Sequence, residues 1–347
     1  MRILHLAAGN RWTGAAAPAF AEVEALRAAG IDAHYAYVGG YKLEAKLGHH
    51  DFAHPLIEKA QNPLAFKRTL NALDRAIRHH GFDVLHAHLT YDHWLARIAA
   101  RDFPRLRIAR TFHARRVLRT DLFTASLVKR TPLLFVINEA FTDAPALRGR
   151  HAVFTPPPVD HRQFSPHGEH ARALYRFDRK VVTIIGKVAP GRGFEEALTT
   201  FASLRRLRND VQMMIIGHGP HRPALEALAA TLGITNDVTW AGYHEDDLAE
   251  HYRASNLLLF TARGSDEGHR AVLEAMACGV PVVAYPIEGV AALIGPERVA
   301  ASASPEALAA LASRVIDAPG PVYERSLGFS YETAAARLLE AYAPAST

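Results

Sequence analysis

The strongest constraint on the fold of this chain is a regular alternation of short apolar runs with longer amphipathic segments. In the first half, runs such as RILHLA (2–7) and LLFVI (133–137) are separated by segments of helical periodicity. The alternation restarts in the second half, where VVTIIG (181–186) and VQMMIIG (211–217) follow the same pattern. Strands that alternate with helices form parallel sheets covered on both faces. The sequence therefore predicts an α/β fold with two doubly wound parallel-sheet domains.

The joint between the two domains falls in TPPPVDHRQFSPHGEH, residues 155–170. Three consecutive prolines continue neither a helix nor a central strand. We expect an N-terminal domain over 1–163 and a C-terminal domain over 164–329. The remaining segment, 330–347, begins with a serine in the N-cap position and has apolar residues at helical spacing. We expect this C-terminal helix to return to the N-terminal domain.

Composition and the N-terminus restrict the class of protein. Apolar residues make up 49% and charged residues 22%, as in globular proteins, and the net charge of +5 does not indicate nucleic-acid binding. The single cysteine, Cys278, forms no intrachain disulfide, which favours a reducing compartment. The first twelve residues lack the pattern of a secretory signal, and no stretch approaches the ~18 apolar residues of a membrane span. We expect a cytoplasmic protein, at most peripheral at the inner face of a membrane.

Ligands of open parallel sheets bind beyond the carboxyl ends of the strands, so the candidate site residues are those that follow strands. Gly264 and Asp266 follow a predicted strand, and a helix begins near Gly268. The free amides at such a helix start can bind a phosphate or a sugar hydroxyl. Glu274 lies eight residues after Asp266, about two helical turns, so both carboxylates would face one cleft. The alternative is a capped helix with a solvated glutamate.

The whole string DEGHRAVLEAMACGVPVVA (266–284) resembles the signature "EGFGLPVLEAMACGTPVV" of the retaining GT-B glycosyltransferases of glycosyltransferase family 4. The resemblance implies two Rossmann-like domains facing across a cleft, and it places Glu274 on the ribose hydroxyls of a sugar nucleotide. The family's first acidic residue, a catalytic one, falls on Asp266, or on Glu267 if the loop is shifted by one. Further donor-binding positions replace the family's glycine-rich loop: Gly268, His269, Arg270 and Ala271.

A second stretch, GKVAPGRGFEEAL (186–198), resembles the family's "GRLxxxKG" segment, which supplies two cations to the diphosphate. Lys187 stands at the usual arginine position and Arg192 at the usual lysine position. Two cations at the end of a strand suit a leaving nucleoside diphosphate, whose growing charge must be neutralised. The alternative, a pair of solvated surface cations, would be preferred for either residue alone.

Two further matches extend the resemblance towards the base and the sugar of the donor. VTWAGYHEDDLAEHYRASNLLLF (238–260) resembles a family segment whose loop borders the base, which implies that Gly242 and Tyr243 lie there. Tyr243 is alternatively a packing residue. In RTFHARR (110–116), His113 falls on a family histidine beside the donor sugar, and its alternative is a purely structural role.

The first loop of the chain matches the family more loosely. NRWTGAAAP (10–18) takes the place of a glycine-rich loop, and Gly14 is the glycine that remains. One glycine with small alanines permits a close backbone approach to the donor, but it is not diagnostic.

Charge is concentrated on the predicted acceptor side. Residues 66–130 contain 14 Lys/Arg and 5 Asp/Glu, and residues 101–119 alone contain seven arginines and one aspartate. Arg115, Arg116 and Arg119 therefore predict an acceptor side suited to an anionic partner, such as a phosphate-bearing lipid or glycan, or a membrane surface. The alternative is an ordinary solvated face.

Twenty histidines raise the question of a metal. His86 and His88 alternate on a predicted strand and point to the same face, and His93 follows nearby. The sequence contains neither an HExxH pattern nor the Cys/His spacing of a zinc site. We expect no bound metal, and no cofactor beyond the nucleoside-diphosphate sugar as co-substrate.

The resemblance implies a retaining hexosyl- or pentosyltransferase that moves a sugar from a nucleoside diphosphate to a glycan, a lipid or another small acceptor, in cell-envelope or glycoconjugate biosynthesis. Two alternatives stay open. One is a catalytically silent sugar-nucleotide-binding subunit, and the other is a different GT-B activity, a sugar-nucleotide epimerase or a phosphorylase.

Overall fold

The chain divides into two compact units, each with its own sheet. A computed structural model describes residues 1–9, 12, 14–59, 62–262 and 268–343. The first unit is Met1–Pro158 together with the segment from Phe329, and the second is Val159–Gly328. Both sheets are parallel and helix-covered, which confirms the predicted α/β class with two doubly wound domains. Within the described residues, no helix is both long and apolar enough to cross a bilayer.

The unit boundary lies five residues before the expected one because residues after Pro158 already pack on the second unit. There, the His161 Nε2 atom lies 3.0 Å from the Ser326 hydroxyl, and the ring of Phe164 meets that of Tyr252 edge to face. The first unit therefore ends at the three prolines, and the residues that follow them belong to the second unit.

Among the described residues, the first unit contains seven strands and five α-helices in its N-terminal part, joined by one C-terminal α-helix, Tyr331–Tyr342. In chain order they are β1 (Arg2–Ala7), α1 (Ala16–Ala28), β2 (Asp32–Val38), α2 (Lys42–Leu47), β3 (Ala53–Ile57), α3 (Pro63–His80), β4 (Val84–Ala87), α4 (Thr90–Ala99), β5 (Arg107–Phe112), α5 (Leu122–Lys129), β6 (Leu133–Val136) and β7 (Ala152–Phe154). The sheet order is β3-β2-β1-β4-β5-β6-β7.

Alternate residues of these strands pack on opposite faces of the sheet. Ile3 packs with Val23 of α1 and with Leu338 of the C-terminal helix. The next residue, Leu4, packs on the other face with Leu73 of α3. Both faces are therefore buried, which explains why the central strands are continuous apolar runs.

The C-terminal helix completes the core of the first unit. The Ser330 hydroxyl accepts a hydrogen bond from the Thr333 amide and caps the helix, as the sequence predicts. Tyr342 is buried, and the Tyr331 hydroxyl donates to Glu24 of α1 at 2.9 Å. This helix and α1 together cover one face of the sheet.

Where the structure describes it, the second unit has five strands and seven α-helices. In chain order they are β8 (Lys180–Ile185), α6 (Phe194–Leu207), β9 (Val211–Ile216), α7 (Arg222–Thr231), β10 (Val238–Gly242), α8 (Leu248–Arg253), β11 (Leu257–Phe260), α9 (Arg270–Ala277), β12 (Val282–Ala284), α10 (Val290–Ile294), α11 (Pro305–Val315) and α12 (Val322–Ser326). The sheet order is β10-β9-β8-β11-β12. Val182 packs with Phe201 of α6 and Leu308 of α11, while Val181 faces Met214 on the opposite side.

Two strands of the first unit were not expected from the sequence, β3 and β7. Both lie at edges of the sheet. β3 reads AHPLI, and its central proline is tolerated at an edge because one side of the strand needs no ladder hydrogen bonds. β7 reads AVF, and three apolar residues are too short a run to predict a strand.

Candidate functional site

The loops at the carboxyl edge of the second sheet lie in direct backbone contact. A Cβ atom added to Gly217, after β9, would clash with the carbonyl oxygen of Gly186, after β8. A Cβ atom on Gly219 would clash with the carbonyl oxygen of Val188, whose amide donates to the His218 carbonyl at 3.1 Å. Only glycine allows this approach, so these two glycines hold the β8–α6 and β9–α7 loops together.

A third segment, the end of β11, joins them through Gly193. This residue has φ of +81°, and a Cβ atom there would lie 2.6 Å from the carbonyl carbon of Thr261. The Thr261 hydroxyl donates to the Gly193 carbonyl at 2.6 Å. The β8–α6 loop is therefore fixed against the segment that leads into the predicted signature. Asp266 and Glu267 of that signature lie outside the described residues.

Lys187 and Arg192 lie on the β8–α6 loop, as expected. Lys187 is exposed and Arg192 is half-exposed. In the part of the chain that the structure describes, neither side chain has a hydrogen-bond or ion-pair partner. Two cations on one loop with no internal partner are available to an anionic ligand, since nothing has to be displaced first.

The predicted donor positions 268–271 lie at the start of α9. His269 is buried, has φ of +53°, and donates from Nε2 to the Glu288 carbonyl at 3.0 Å. Its ring also meets Phe260 edge to face. These contacts fix the backbone at the start of α9. The buried His269 side chain therefore stabilises the loop before the helix, and its ring is not exposed to a ligand. Gly268 is buried, Arg270 is exposed and Ala271 is half-buried.

Glu274 lies one turn further along α9 and is 8% exposed. The Tyr252 hydroxyl of α8 donates to its Oε2 at 3.0 Å, and Arg270 Nε lies 3.2 Å from its Oε1. Burial, together with the neighbouring Glu274 carboxylate, raises the pKa of Tyr252 well above its usual value, so this phenol stays a donor. The carboxylate is thus held in one orientation. Sequence reasoning missed Tyr252, because nothing in the text EHYR distinguishes it.

Gly242 is the last residue of β10, and Tyr243 follows it at the same edge of the sheet. Gly242 has φ of +89°, and its carbonyl accepts from the Gly217 amide at 2.6 Å. The Tyr243 side chain is 62% exposed, and its hydroxyl donates to Glu245 at 2.9 Å, a hydrogen bond that raises the pKa of the phenol. The His218 ring lies edge-on to it, with centroids 5.5 Å apart. Tyr243 therefore presents an exposed ring face and is not a core packing residue.

In the first unit, Gly14 and His113 follow β1 and β5. Gly14 has φ of +63° in the turn before α1, with no other atom near its missing side chain. His113 Nε2 lies 2.9 Å from Nδ1 of His88, while its own Nδ1 has no partner within the described residues. Burial and the nearby Arg110 charge lower the pKa of His113 to about 3. The imidazole is therefore neutral near pH 7.

The arginines predicted on the acceptor side form an exposed group after β5. Arg116 is exposed, Arg115 donates to the Ala140 carbonyl at 3.2 Å, and Arg119 Nε lies 3.3 Å from Asp121. In the chain, these arginines are followed by α5, which begins with two exposed apolar side chains. They are Leu122, 86% exposed, and Phe123, 73% exposed, and the sequence analysis did not single them out. Exposed basic and exposed apolar side chains therefore follow one another closely in the chain between residues 115 and 123.

We expect Gly193→Ala to destabilise the second unit more than Gly191→Ala does. Both glycines have positive φ, +81° and +70°, so both substitutions strain the backbone by about 1–2 kcal/mol. Only the Cβ at Gly193 meets backbone, which adds about 1–3 kcal/mol of overpacking, whereas Gly191 has nothing near it. Urea unfolding of both variants measures the difference. Equal losses of stability would contradict the backbone contact between this loop and Thr261.

Both units match family models. Residues 12–139 match the model described as Glycosyltransferase Family 4, and residues 179–318 match the model described as Glycosyl transferases group 1. Among solved structures, a glycosyltransferase from Rickettsia africae has a TM-score of 0.78 and 16% identity, covering 98% of this chain and 97% of its own. The structure of Anabaena HepE in complex with UDP has a TM-score of 0.79 and 16% identity, covering 98% and 99%. These likenesses confirm the GT-B fold.

Curated relatives align over part of the chain. It is 32% identical over 146 residues to a 2-deoxystreptamine glucosyltransferase of Streptomyces kanamyceticus, covering 41% of this chain and 38% of the relative. It is 34% identical over 140 residues to a GDP-mannose-dependent alpha-(1-6)-phosphatidylinositol monomannoside mannosyltransferase of Mycolicibacterium smegmatis, covering 37% of each. The chain thus spans less than two fifths of the length of these relatives. With one family model on each unit, the chain belongs to the glycosyltransferase family 4, or group 1, proteins.

Proposed function

We propose that this protein is a retaining glycosyltransferase that moves a hexose or pentose from a nucleoside-diphosphate sugar to an acceptor. The observation that carries the proposal is the carboxyl edge of the second sheet. There, backbone contacts at glycines join two segments. One is the loop that carries Lys187 and Arg192, which have no partner among the described residues. The other leads to Glu274, which accepts a hydrogen bond from Tyr252. Relatives named as a glucosyltransferase and a GDP-mannose-dependent mannosyltransferase, and a neighbour in complex with UDP, support it.

In this proposal Lys187 and Arg192 bind the diphosphate. Their charges stabilise the leaving group, whose negative charge grows as the bond to the sugar breaks. Two side-chain cations then do the work of a divalent ion, so we propose that no metal acts at the diphosphate. Transfer is expected to continue without added Mg²⁺ and with EDTA present during a short assay.

Glu274 would hold the ribose of the donor. A carboxylate accepts from two vicinal hydroxyls, and the contacts from Tyr252 and Arg270 fix its orientation before the donor arrives. The exposed ring of Tyr243 would border the base, where an aromatic face gives a stacking surface.

The proposed reaction is a front-face displacement. The bond between the anomeric carbon and the phosphate oxygen breaks, the acceptor oxygen bonds that carbon from the same face, and the leaving phosphate oxygen takes the acceptor proton. His113, neutral near pH 7, would contact the donor sugar as a hydrogen-bonding group and not as a cation. Asp266 or Glu267 would fill the first acidic position.

The acceptor is proposed to carry negative charge, as a phosphate-bearing lipid or glycan does. The exposed arginines 115, 116 and 119 would attract it, and the adjacent Leu122 and Phe123 support contact with a lipid surface. An apolar pair beside cations suits the boundary between headgroups and acyl chains. The protein would then act at the cytoplasmic face of a membrane.

Measurement of donor hydrolysis by the pure protein separates this proposal from the alternatives. A silent sugar-nucleotide-binding subunit would bind the donor and release no nucleotide. An epimerase would convert the donor sugar, and a phosphorylase would carry a coloured pyridoxal group.

We expect Glu274→Gln to weaken binding of the cognate nucleoside diphosphate by roughly 10- to 100-fold, because charge-assisted hydrogen bonds contribute about 1.5–3 kcal/mol. Calorimetry measures the affinity. Tyr252→Phe removes the inner partner of the carboxylate and leaves its charge, so it should weaken binding less than Glu274→Gln does. A Glu274→Gln variant of normal stability and unchanged affinity would exclude Glu274 from the site.

Lys187→Gln and Arg192→Gln should each weaken diphosphate binding by roughly tenfold or more and lower turnover, because each removes a charge-assisted contact to phosphate. Binding of the free nucleoside should change little. Arg206→Gln, near the C-terminal end of α6, serves as a control of equal charge change. If the two loop variants bound the diphosphate as the Arg206 variant does, the phosphate site would lie elsewhere.

Replacement of Arg115, Arg116 and Arg119 by Gln should raise the acceptor KM and leave donor hydrolysis nearly unchanged. Electrostatic attraction is screened over about 8–10 Å at physiological salt, so added salt should inhibit the wild type more steeply than the variant. A second variant, Leu122→Ser with Phe123→Ser, should reduce binding to anionic vesicles. Equal salt sensitivity of wild type and arginine variant would identify these residues as ordinary surface charge.

A further inference from the structure

A cluster of four buried titratable side chains lies in the core of the first unit, and one of them, His88, contacts His113. His5 on β1 pairs in register with His86 on the neighbouring parallel strand β4, so both rings point to the same face. His88, two residues on, shares that face, and Glu22 reaches it from α1. All four side chains are fully buried.

Nitrogen and oxygen atoms of this cluster converge on one point. His5 Nδ1 lies 2.9 Å from His88 Nε2. The Oε2 atom of Glu22 lies 3.6 Å from His5 Nδ1, 3.8 Å from His88 Nε2 and 3.9 Å from His86 Nδ1. One atom of each residue lies within 4.8 Å of the others. These atoms are aimed at each other, yet most pairs are too far apart for a hydrogen bond.

Glu22 is the group that needs an explanation. Among the described residues, neither oxygen of its buried carboxylate has a hydrogen-bond partner. A buried carboxyl group without a hydrogen-bond partner is rare in native cores, because nothing compensates the loss of its contacts with water. Each of the three imidazoles around it has a ring nitrogen that can offer a lone pair.

We propose that His5 Nδ1, His88 Nε2 and a carboxylate oxygen of Glu22 bind a divalent transition-metal ion, with Zn²⁺ as the best fit. Ligands that bind Zn²⁺ at about 2.0–2.2 Å in a tetrahedron lie roughly 3.3 Å from each other. The observed separations, 2.9, 3.6 and 3.8 Å, bracket that value. Imidazole with carboxylate is a donor set that zinc prefers.

The fourth position belongs to His86 or to a water molecule. His86 Nδ1 lies 2.5 Å from the Tyr342 hydroxyl, and its Nε2 lies 2.7 Å from the Thr111 hydroxyl. The Tyr342 contact holds the His86 ring beside the cluster, and ligation by Nδ1 would replace it. The site would therefore tie β1, β4 and α1 together within reach of the C-terminal helix.

Metal ligation would also orient the candidate catalytic histidine. His88 Nδ1 lies 2.9 Å from His113 Nε2. With the metal on Nε2, the single proton of His88 sits on Nδ1 and donates to His113, as ligating histidines commonly do to an outer partner. His113 then keeps its own proton on Nδ1. This consequence rests on the proposed function, whereas the metal site does not.

The sequence analysis predicted no metal because it considered only the local spacing of possible ligands. His86 and His88 satisfy no zinc pattern by themselves, and the other two ligands come from a different strand and from a helix. Only the parallel pairing of β1 with β4, and the packing of α1 over them, brings the set together.

The test measures the metal content of the full chain, expressed without a polyhistidine tag and dialysed against metal-free buffer, by mass spectrometry. We expect one equivalent of zinc in the wild type and its loss in Glu22→Gln and in His5→Gln. His93→Gln is the matched control, since His93 is a buried histidine of the same unit outside the set, with Nε2 2.7 Å from the Thr131 hydroxyl. This variant should keep the zinc.

A second measurement uses only the wild type, in case a variant fails to fold. Zinc added to the metal-depleted protein should raise its unfolding midpoint, and Co²⁺ in its place should give the intense visible absorption of a tetrahedral site. A depleted wild type with no midpoint shift and no such absorption would overturn the proposal. So would a full equivalent of zinc in folded Glu22→Gln and His5→Gln, which would assign the metal to surface histidines. Neither readout involves the sugar donor, so failure of the proposed function would leave both unchanged.

Discussion

The proposed donor site depends on direct contact between backbones at the carboxyl edge of the second sheet. Gly217 and Gly219 place the β9–α7 loop against the β8–α6 loop, and Gly193 places that loop against Thr261. Loops that end separate strands normally move independently, since few contacts cross between them. Here the absent side chains let carbonyl and amide groups pair across the loops. The position of Lys187 and Arg192 relative to the end of β11 is therefore set by the close backbone packing at Gly193 and by the hydrogen bond from the Thr261 hydroxyl to the Gly193 carbonyl.

Two buried carboxylates show how differently one protein can treat the same group. Glu274 has a phenol donor on one oxygen and a guanidinium on the other, so its charge is compensated before any ligand arrives. Glu22 has three imidazoles nearby and no donor among the described residues. The first arrangement holds a carboxylate in a fixed orientation with its charge compensated. The second concentrates lone pairs at one point inside a core, which suits a cation.

Much of the architecture follows from local sequence, because central strands buried on both faces must be continuous apolar runs. The edge strands β3 and β7 escape this rule, since a strand with one open side tolerates Pro55 or exposed residues. The resemblance to the family also predicts Glu274, Lys187 and Arg192 as donor-binding residues, because each stands in a short segment that resembles one of the family's motifs. The family's first acidic position lies among residues 263–267 and stays a prediction.

Features that arise from tertiary packing could not be predicted. Tyr252 and Glu22 occur in helical segments without a distinctive motif. Each can be recognised as a candidate site residue only from its contact with a residue of another element. The exposure of Leu122 and Phe123 is a similar case, because apolar residues at the start of a helix are normally predicted to lie in the hydrophobic core. The periodicity of apolar residues in the sequence indicates which residues can be buried. Which of them are buried depends on how the elements pack in the folded protein.

The C-terminal helix gives the chain an unusual order of completion. The second unit is one continuous segment, whereas the first needs residues 331–342 to cover the face of its sheet that carries Ile3 and Tyr35. A ribosome makes the chain from its N-terminus, so the second unit has all of its residues before the first does. While residues 159–328 are being made, that apolar face has α1 over it and lacks the part of its cover that residues 331–342 supply. The core of the first unit is therefore completed only after the whole of the second unit has been synthesised.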